Sequence, residues 1–408
     1  MKLFLPYISR LCAILFGNVP VLPGISIEKV YWEDNMEVLI QNLFYLTIPQ
    51  VIMWCIGGGL IYLAIAKQME PTLLLPMGFG AILVNLPVAV EGTGVQHVLD
   101  TLFAIGIEGA ELFPLMLFIG IGAMIDFQPL LTNPKLMIFG AAAQFGIFFT
   151  LAVASLMGYE IQDAASIAII GAADGPTSIF VAMALGSKYL GAIMVAAYSY
   201  MALVPLVQPP IIKLCTTKEE RKIRMAYKGK PVSRLTKILF PIVVTVIVGL
   251  VAPDAVALIG FLMFGNLLRE CGVLDSLSET AQKVLANLIT IFLGITIASQ
   301  MKASDFLQVD TLVIIGLGLV AFVFDTFGGV MVAKIMNLFS KEKINPMIGA
   351  AGISAFPMSA RVVHKMGLEE DNQNFLLMHS IGVNVSGQIA SVIAGGLILS
   401  LVKAMIGG

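Results

Sequence analysis

The sequence predicts an all-α polytopic membrane protein made of two inverted structural repeats, with discontinuous and re-entrant helices and about ten to eleven membrane segments. The composition is the first observation: 58% of the residues are hydrophobic and 12% are charged, with a mean hydropathy of +0.93. Soluble domains carry about 25% charged residues. Apolar runs of spanning length recur, for example at 136–157, 312–336 and 375–402. An internal repeat and two polar breaks in apolar segments are the other two observations.

The repeat is visible as short matches in the same order along the chain. Residues 170–173 and 348–351 both read Ile-Gly-Ala-Ala, and Phe-Ile-Gly-Ile at 118–121 parallels Phe-Leu-Gly-Ile at 292–295. Chance similarity between Gly- and Ala-rich membrane segments is the alternative, and one nearly constant offset argues against it. Each half then holds six apolar segments: 40–66, 72–90, 112–125, 135–157, 164–185 and 189–212, followed by 236–252, 254–268, 287–300, 311–338, 346–363 and 375–402.

The segments at 112–125 and 287–300 are short for a crossing of about 20 residues. If one segment per half is re-entrant, each half crosses the membrane an odd number of times and the two halves face opposite ways, as in inverted-repeat transporters. A parallel repeat stays open at this point.

One basic loop separates the halves. Nine of the 24 Lys and Arg residues lie between 213 and 237, and the positive-inside rule places such a loop in the cytoplasm. We therefore expect an amphipathic or first membrane segment at 1–35, a first repeat at 36–212, a cytoplasmic linker at 213–237 and a second repeat at 238–408.

Several chemistries find no support in the sequence. The four cysteines have no CxxC spacing, and the three histidines have no metal-ligand spacing. No Walker-type phosphate loop is present, so ATP hydrolysis by this chain is not expected.

The two polar breaks are the candidate functional site. In the first, Asp174 is followed by Thr177 and Ser178; in the second, Ser354 follows Asn345. A helix interrupted at membrane depth is tolerated where it faces protein or a wet cavity, and a carboxylate there is a functional hypothesis by default. The site would carry one formal negative charge, which suits a monovalent cation such as Na⁺ better than Ca²⁺. The structural alternative is that Asp174 caps the helix that follows.

Four further polar residues have two interpretations each. Asn384 and Ser386 in the last apolar segment are either ion ligands or interhelical hydrogen-bonding groups. Tyr200 either relays a proton or is a buried tyrosine with a satisfied hydroxyl. Arg361 either meets an anionic carboxyl group or snorkels to the interface.

The motifs at these positions resemble one family. They are Gly-Ala-Ala-Asp-Gly-Pro-Thr-Ser at 171–178, Ala-Tyr-Ser-Tyr-Met-Ala-Leu-Val-Pro at 197–205, Asn-Pro-Met-Ile-Gly-Ala-Ala-Gly-Ile-Ser at 345–354 and Ala-Arg-Val-Val at 360–363. The chain is similar, from about Met36 to its end, to the beta subunits of the sodium-pumping biotin-dependent decarboxylases. These act in oxaloacetate, methylmalonyl-CoA, glutaconyl-CoA and malonate decarboxylase complexes.

The resemblance implies a function beyond what the residues alone indicate. A separate subunit carboxylates biotin, and the membrane subunit then releases CO₂ from carboxybiotin and exports Na⁺ while a proton is consumed. It implies catalytic roles for Asp174, Tyr200, Ser354 and Arg361, with Arg361 also contacting the carboxybiotin. We expect the Na⁺ ligands, in two sites around Asp174 and around Ser354 with Tyr200, among Asp174, Thr177, Ser178, Tyr200, Asn345, Gly349, Ser354, Asn384 and Ser386.

The same resemblance implies partners and a location. The expected partners are a carboxyltransferase (alpha) subunit, a biotin carrier protein or domain and a small gamma or delta membrane subunit, with further copies of this chain and no nucleic acid. The expected location is the bacterial inner membrane. The alternative function is a secondary Na⁺/H⁺ or Na⁺/carboxylate transporter, which shares the repeat and the broken helices but performs no decarboxylation.

Overall fold

A computed structural model describes residues 45–87, 94–109, 111–226 and 231–407 of the chain. All regular elements in these ranges are helical, and no strand occurs among them, which confirms the all-α prediction. The predicted first segment at 1–35 lies outside the described residues.

Ten α-helices precede the linker. They are α1 (Ile48–Ala66), α2 (Pro71–Val84), α3 (Gly94–Phe103), α4 (Leu112–Met124), α5 (Gln128–Thr132), α6 (Met137–Ala142), α7 (Phe145–Leu156), α8 (Ile161–Ala168), α9 (Gly175–Ala184) and α10 (Leu190–Cys215). Shorter helical turns extend three of them: a π-helix at Ala104–Glu108 and 3₁₀ turns at Pro134–Leu136 and Ile169–Ala172.

Nine α-helices follow in the linker and the second half. They are α11 (Lys218–Arg221), α12 (Arg234–Val251), α13 (Val256–Glu270), α14 (Asp275–Glu279), α15 (Ala286–Ala298), α16 (Ala303–Phe306), α17 (Val309–Phe339), α18 (Met358–Glu370) and α19 (Leu377–Ile406). A π-helix at Thr280–Leu285 joins α14 to α15, and 3₁₀ turns occupy Pro253–Ala255 and Pro346–Gly352.

Seven of the described helical segments are long and apolar enough to cross a membrane: Ile48–Ala66, Pro134–Leu156, Leu190–Cys215, Arg234–Val251, Asp275–Ala298, Val309–Phe339 and Leu377–Ile406. An eighth results if Gly94–Glu108 and Leu112–Met124, bent by 62°, form one broken span. Three shorter apolar helices, Pro71–Val84, Ile161–Ala172 and Gly175–Ala184, do not reach spanning length. The expected ten to eleven membrane segments, which include re-entrant ones, therefore stay a prediction. The prediction that 287–300 is too short to cross is wrong, since the π-helix extends this helix back to Asp275.

The outer helices present apolar side chains to the surroundings. Helix α12 buries only Pro241 and Val248 and exposes large residues such as Ile247 and Leu250. An exposed apolar surface of this extent marks contact with membrane lipid or another membrane subunit.

Two of the segments predicted to be interrupted form helical hairpins. Hairpin 1 (residues 161–187) runs from α8 through the 3₁₀ turn to α9, and its two ends meet where the Ser187 hydroxyl donates a 2.7 Å hydrogen bond to Asp163. Hairpin 2 (residues 345–374) runs through the 3₁₀ turn at Pro346–Gly352 to α18. Its ends meet at Arg221, whose carbonyl oxygen accepts hydrogen bonds of 2.9 Å from the side chains of both Asn345 and Asn374.

Glycines let helices of the two halves touch through their backbones. A Cβ on Gly122 of α4 would lie 1.8 Å from the carbonyl oxygen of Leu262, and one on Gly265 of α13 would lie 2.0 Å from that of Ile119. Such backbone contact is the use of small residues at membrane helix interfaces. The two long helices α10 and α17 pack beside the hairpins, and residues of both hairpins belong to the largest buried apolar cluster.

Candidate ion site between two helix breaks

The first break (residues 169–174) is a sharp change of direction inside hairpin 1. The 3₁₀ turn ends at Ala173, which has a left-handed φ of 51°, and α9 begins at Gly175 with Asp174 at its N-cap position. A left-handed alanine costs about 1 kcal/mol or more, so the surrounding packing has to hold it. Asp174 therefore occupies the N-cap position, but its side chain makes no capping hydrogen bond to the backbone of α9.

The second break (residues 346–357) meets the first one directly. The backbone N–H of Ser354 donates a 3.0 Å hydrogen bond to the carbonyl oxygen of Ala172, so the tips of the two hairpins touch. The Ser354 hydroxyl donates to the carbonyl oxygen of Gly387 in α19 at 3.0 Å. Helix α19 therefore runs past both tips.

Asp174 is almost completely buried, with 3% of its surface exposed. Its Oδ2 accepts three hydrogen bonds, from the Thr177 hydroxyl at 2.7 Å, the Gln388 amide at 3.0 Å and the Ser391 hydroxyl at 3.2 Å. All three donors are neutral, and among the described residues no basic side chain forms an ion pair with Asp174. A buried carboxylate without a positive partner is costly, so Asp174 is a candidate for binding a cation.

Two other predicted ligands, Ser178 and Asn384, donate hydrogen bonds to backbone carbonyl oxygens of the two breaks. The Ser178 hydroxyl donates to the carbonyl oxygen of Asp174 at 2.9 Å, and the Asn384 amide donates to that of Ile353 at 2.7 Å. The Oδ1 of Asn384 is buried and has no hydrogen-bond partner among the described residues. Ser178 thus contacts the backbone of the first break, and Asn384 contacts that of the second.

Tyr200 approaches the first break from α10. Its hydroxyl donates to the carbonyl oxygen of Ile315 in α17, and Gly318 lies between its ring and Ile170. No hydrogen bond in the described part of the chain joins Tyr200 to Ser354. The pairing of these two residues around one cation therefore stays a prediction.

Three predicted residues have mainly structural contacts here. The Asn345 side chain donates to the carbonyl oxygens of Arg221 and Ile223 and anchors the start of hairpin 2. Ser386 donates to the carbonyl oxygen of Leu136 at 3.0 Å, on the side of α19 that faces α6. Gly349 allows close backbone contact, because a Cβ there would lie 2.0 Å from the carbonyl oxygen of Gly329 in α17.

Arg361 lies on the first turn of α18, with its side chain exposed. Its positive charge acts on Glu70, the residue that precedes α2. Burial raises the pKa of the Glu70 carboxyl, while Arg361 and a hydrogen bond from Thr72 act in the opposite direction. An exposed guanidinium beside the second break remains available to an anionic group.

A cavity of about 610 Å³ opens beside the linker. Basic side chains of Lys135, Arg224 and Lys343 line it, and it reaches Ile348 in the second break. Arg224 is paired there with Asp371 at 2.6 Å, and this hydrogen bond holds the pKa of the Asp371 carboxyl below its usual value. The volume is in the range of small-molecule sites.

Sequence reasoning missed four buried polar residues near the breaks. Gln388 and Ser391 share a face of α19 with Asn384, at spacings of four and three residues, and this periodicity was the available signal. The ring of Tyr198 covers Gly175. Asp325 of α17 is fully buried against Gly171, so the expectation of a single carboxylate at the breaks is wrong.

Comparison with known proteins places this arrangement in a family. Residues 49–402 match the family model of the Na⁺-transporting oxaloacetate decarboxylase beta subunit. The oxaloacetate decarboxylase beta chain of Haemophilus ducreyi is 46% identical, over 90% of this chain and 98% of that one. The methylmalonyl-CoA decarboxylase subunit beta of Propionigenium modestum is 48% identical, over 88% and 96%. The oxaloacetate decarboxylase beta chain of Klebsiella pneumoniae is 45% identical, over 91% and 100%. The chain therefore belongs to the Na⁺-transporting oxaloacetate decarboxylase beta-subunit family, and it is a multi-pass membrane component of a decarboxylase.

Proposed function

We propose that this chain decarboxylates carboxybiotin carried by a partner subunit and couples the reaction to Na⁺ export, with consumption of a proton. The observation that carries the proposal is Asp174, a buried carboxylate between two touching helix breaks that has only neutral hydrogen-bond donors. A monovalent cation balances its charge, and hydroxyl and carbonyl oxygens of the broken helices supply the hard ligands that Na⁺ prefers.

The proposed sodium site is centred on Asp174, Thr177 and Ser178, with Ser354 and Asn384 contributed by the second hairpin and α19. Tyr200 takes part from α10 through its contact with the first break. The other predicted ligands, Asn345, Gly349 and Ser386, are proposed to act on the ion after a movement of hairpin 2 and α19. At present Asn345 and Gly349 hold hairpin 2 in place, and Ser386 holds α19 against Leu136.

The two hairpins support an inverted arrangement of the halves 36–212 and 238–408. Their tips touch at Ala172 and Ser354, while the ends of hairpin 1 meet at Asp163 and those of hairpin 2 meet at Arg221 in the linker. Hairpins that enter from opposite faces of the membrane and meet at mid-depth would make these contacts. In the repeat, α4 corresponds to α15 and α13 corresponds to α2. The glycine contact of α4 with α13 has a counterpart between α15 and α2, where a Cβ on Gly294 would lie 2.8 Å from the Cβ of Pro76, and this agrees with a twofold relation. We therefore propose that both hairpins are re-entrant.

Decarboxylation requires that the carboxyl anion of carboxybiotin reach the chain from the linker face. The cavity beside the linker offers a route with basic walls, and Arg361 offers a guanidinium for the carboxylate. Cleavage of the N–C bond releases CO₂ and leaves electrons on the biotin nitrogen, which takes up one proton. This is the proton that the overall reaction consumes.

Coupling needs only that carboxybiotin binds one of two conformations of the ion site more tightly than the other. Moving one charge against 100 mV costs about 2.3 kcal/mol. The proposed setting is the bacterial inner membrane, in a complex with a carboxyltransferase subunit, a biotin carrier, a small gamma or delta subunit and further copies of this chain.

The test is decarboxylation of free carboxybiotin by the purified complex in vesicles, with ²²Na⁺ uptake measured in parallel. We expect CO₂ release that depends on Na⁺ and Na⁺ transport that depends on carboxybiotin. Arg361→Gln should lose CO₂ release but keep Na⁺ binding, whereas exposed Lys365→Gln on the same helix serves as the matched control. Na⁺ movement driven by an ion gradient, with no CO₂ release, would instead establish a secondary transporter.

A further inference from the structure

Asp325 lies near the middle of α17, the longest helix, and none of its surface is exposed. Its Oδ1 accepts hydrogen bonds from the backbone N–H groups of Gly146 at 2.5 Å and Ile147 at 3.2 Å. These belong to the first turn of α7, just after the turn that separates it from α6. One carboxylate oxygen therefore caps an interrupted helix.

The other oxygen of Asp325 has no hydrogen-bond partner among the described residues. It faces Gly171 of the first break, where a Cβ would lie only 2.6 Å from Oδ2. The side-chain oxygens of the neighbouring residues Gln144 and Thr326 are also buried and unpartnered. Capping of α7 accounts for the position of Oδ1 alone, and it gives the buried Oδ2 no partner.

Helix α17 brings Asp325 between the two breaks. On one face of α17, Ala321 and Asp325 contact Gly171 of the first break, and Gly329 contacts Gly349 of the second break. Positions 321, 325 and 329 are one turn apart, so they lie on the same side of the helix. Measured along the axis of α17, Asp325 is therefore no more than about 6 Å from a contact with hairpin 1 and from a contact with hairpin 2.

The charge of this group needs a partner. No ion pair to Asp325 occurs in the part of the chain that the structure describes. Two amide donors at a helix N-terminus stabilise one oxygen, but an ionised carboxylate at membrane depth remains expensive without a cation. We infer that Oδ2 of Asp325 binds a monovalent cation, Na⁺ or H⁺, in addition to the ion at Asp174. This inference rests on the proposed function as a Na⁺ transporter.

The Asp325→Asn variant distinguishes the capping role from the cation-binding role. Its amide oxygen can still accept hydrogen bonds from the N–H groups of Gly146 and Ile147, but the negative charge is lost. The matched control is Asp310→Asn, which removes an exposed carboxylate from the start of the same helix. The measurements are the number of ²²Na⁺ ions bound at equilibrium by the purified complex and, with the complex in vesicles, the number of protons taken up per carboxybiotin turnover from the vesicle side opposite the linker.

Loss of one bound Na⁺ in Asp325→Asn, but not in the control, identifies Na⁺ as the ion. An unchanged Na⁺ count with at least fivefold less proton uptake from that side identifies H⁺. Wild-type values of both quantities would overturn the inference. Asp174→Asn tests the proposed function separately, because that variant leaves Asp325 in place.

A second measurement applies if Asp325→Asn does not assemble. Dicyclohexylcarbodiimide, which reacts with protonated carboxyl groups in apolar surroundings, is applied to the wild-type complex, and the modified residue is located by mass spectrometry. Modification of Asp325 supports a site that exchanges a cation, and slowing by Na⁺ identifies that cation. Absence of modification at Asp325 while Asp174 reacts would overturn the inference.

Discussion

Replacing Asp174 with asparagine removes a charge and leaves the shape of the site almost unchanged. The asparagine oxygen can still accept from Thr177, Gln388 and Ser391, which all donate to one carboxylate oxygen in the wild type. Folding and assembly are therefore expected to be preserved. The attraction for a cation is the quantity that changes.

The magnitude follows from burial. Asp174 is 3% exposed, so an effective dielectric constant of about 20 is appropriate, and two unit charges about 4 Å apart then attract by about 4 kcal/mol. Because each 1.4 kcal/mol is about a tenfold change in affinity, Asp174→Asn should weaken Na⁺ binding by about a thousandfold. At ordinary Na⁺ concentrations this abolishes transport.

The assay is Na⁺ uptake by vesicles together with Na⁺-stimulated decarboxylation of carboxybiotin. Asp163→Asn is the control, since Asp163 is equally buried in hairpin 1 but pairs with Ser187 and Lys188. Both activities should be lost in Asp174→Asn and largely kept in the control. A Na⁺ dependence within threefold of wild type in Asp174→Asn would refute the electrostatic argument, and loss of transport alone would show that Asp174 couples the steps without binding the ion.

Three further predictions concern the proton path, the topology and the linker. Tyr200→Phe and Ser354→Ala each remove one neutral hydrogen bond, worth about 1 kcal/mol. Both variants should assemble, and both should raise the Na⁺ concentration needed for half-maximal transport several-fold. A wild-type Na⁺ dependence would show that these residues do not lie on the ion path. In a background without cysteines, single cysteines at Lys222 and Met405 should label from opposite sides of the membrane, and labelling from one side excludes inversion. Because the pKa of Asp371 is lowered in the folded protein, its ion pair with Arg224 stabilises the linker fully above the unfolded pKa of about 3.9, and this stabilisation is lost as the pH falls through the folded pKa. Hydrogen-exchange protection of the linker should therefore be constant from about pH 8 to 5 and fall below about pH 4. A loss of protection already at pH 6 contradicts this assignment.

The breaks could be predicted because glycine, proline and a carboxylate are unfavourable inside apolar helices unless a special backbone requires them. That reasoning correctly located the interruptions on either side of Asp174 and Ser354. It failed at Asp275–Ala298, where a π-helical stretch continues the helix through polar residues that read as a loop. Local sequence does not reveal a change of hydrogen-bond register inside a helix.

The ligands from distant segments were harder to predict. Gln388 and Ser391 reach Asp174 across more than 200 residues of sequence, and no single-sequence pattern specifies such a pairing. Asp325 is different, because one acidic residue in the apolar 312–336 run, whose other charged residue is Lys334 near its end, was visible from the start. A carboxylate inside a spanning segment is a functional hypothesis in its own right, and only its distance in sequence from the breaks hid the connection.

The hydrogen bond between the hairpin tips joins two backbone groups, the N–H of Ser354 and the carbonyl of Ala172. Genetics cannot delete such a bond by changing a side chain, because every amino acid except proline carries the same donor. A mutational screen for residues that link the two halves would therefore pass over this direct contact between the hairpin tips. Replacing the Ser354 amide by an ester through chemical synthesis removes that donor alone, and it makes this junction accessible to experiment.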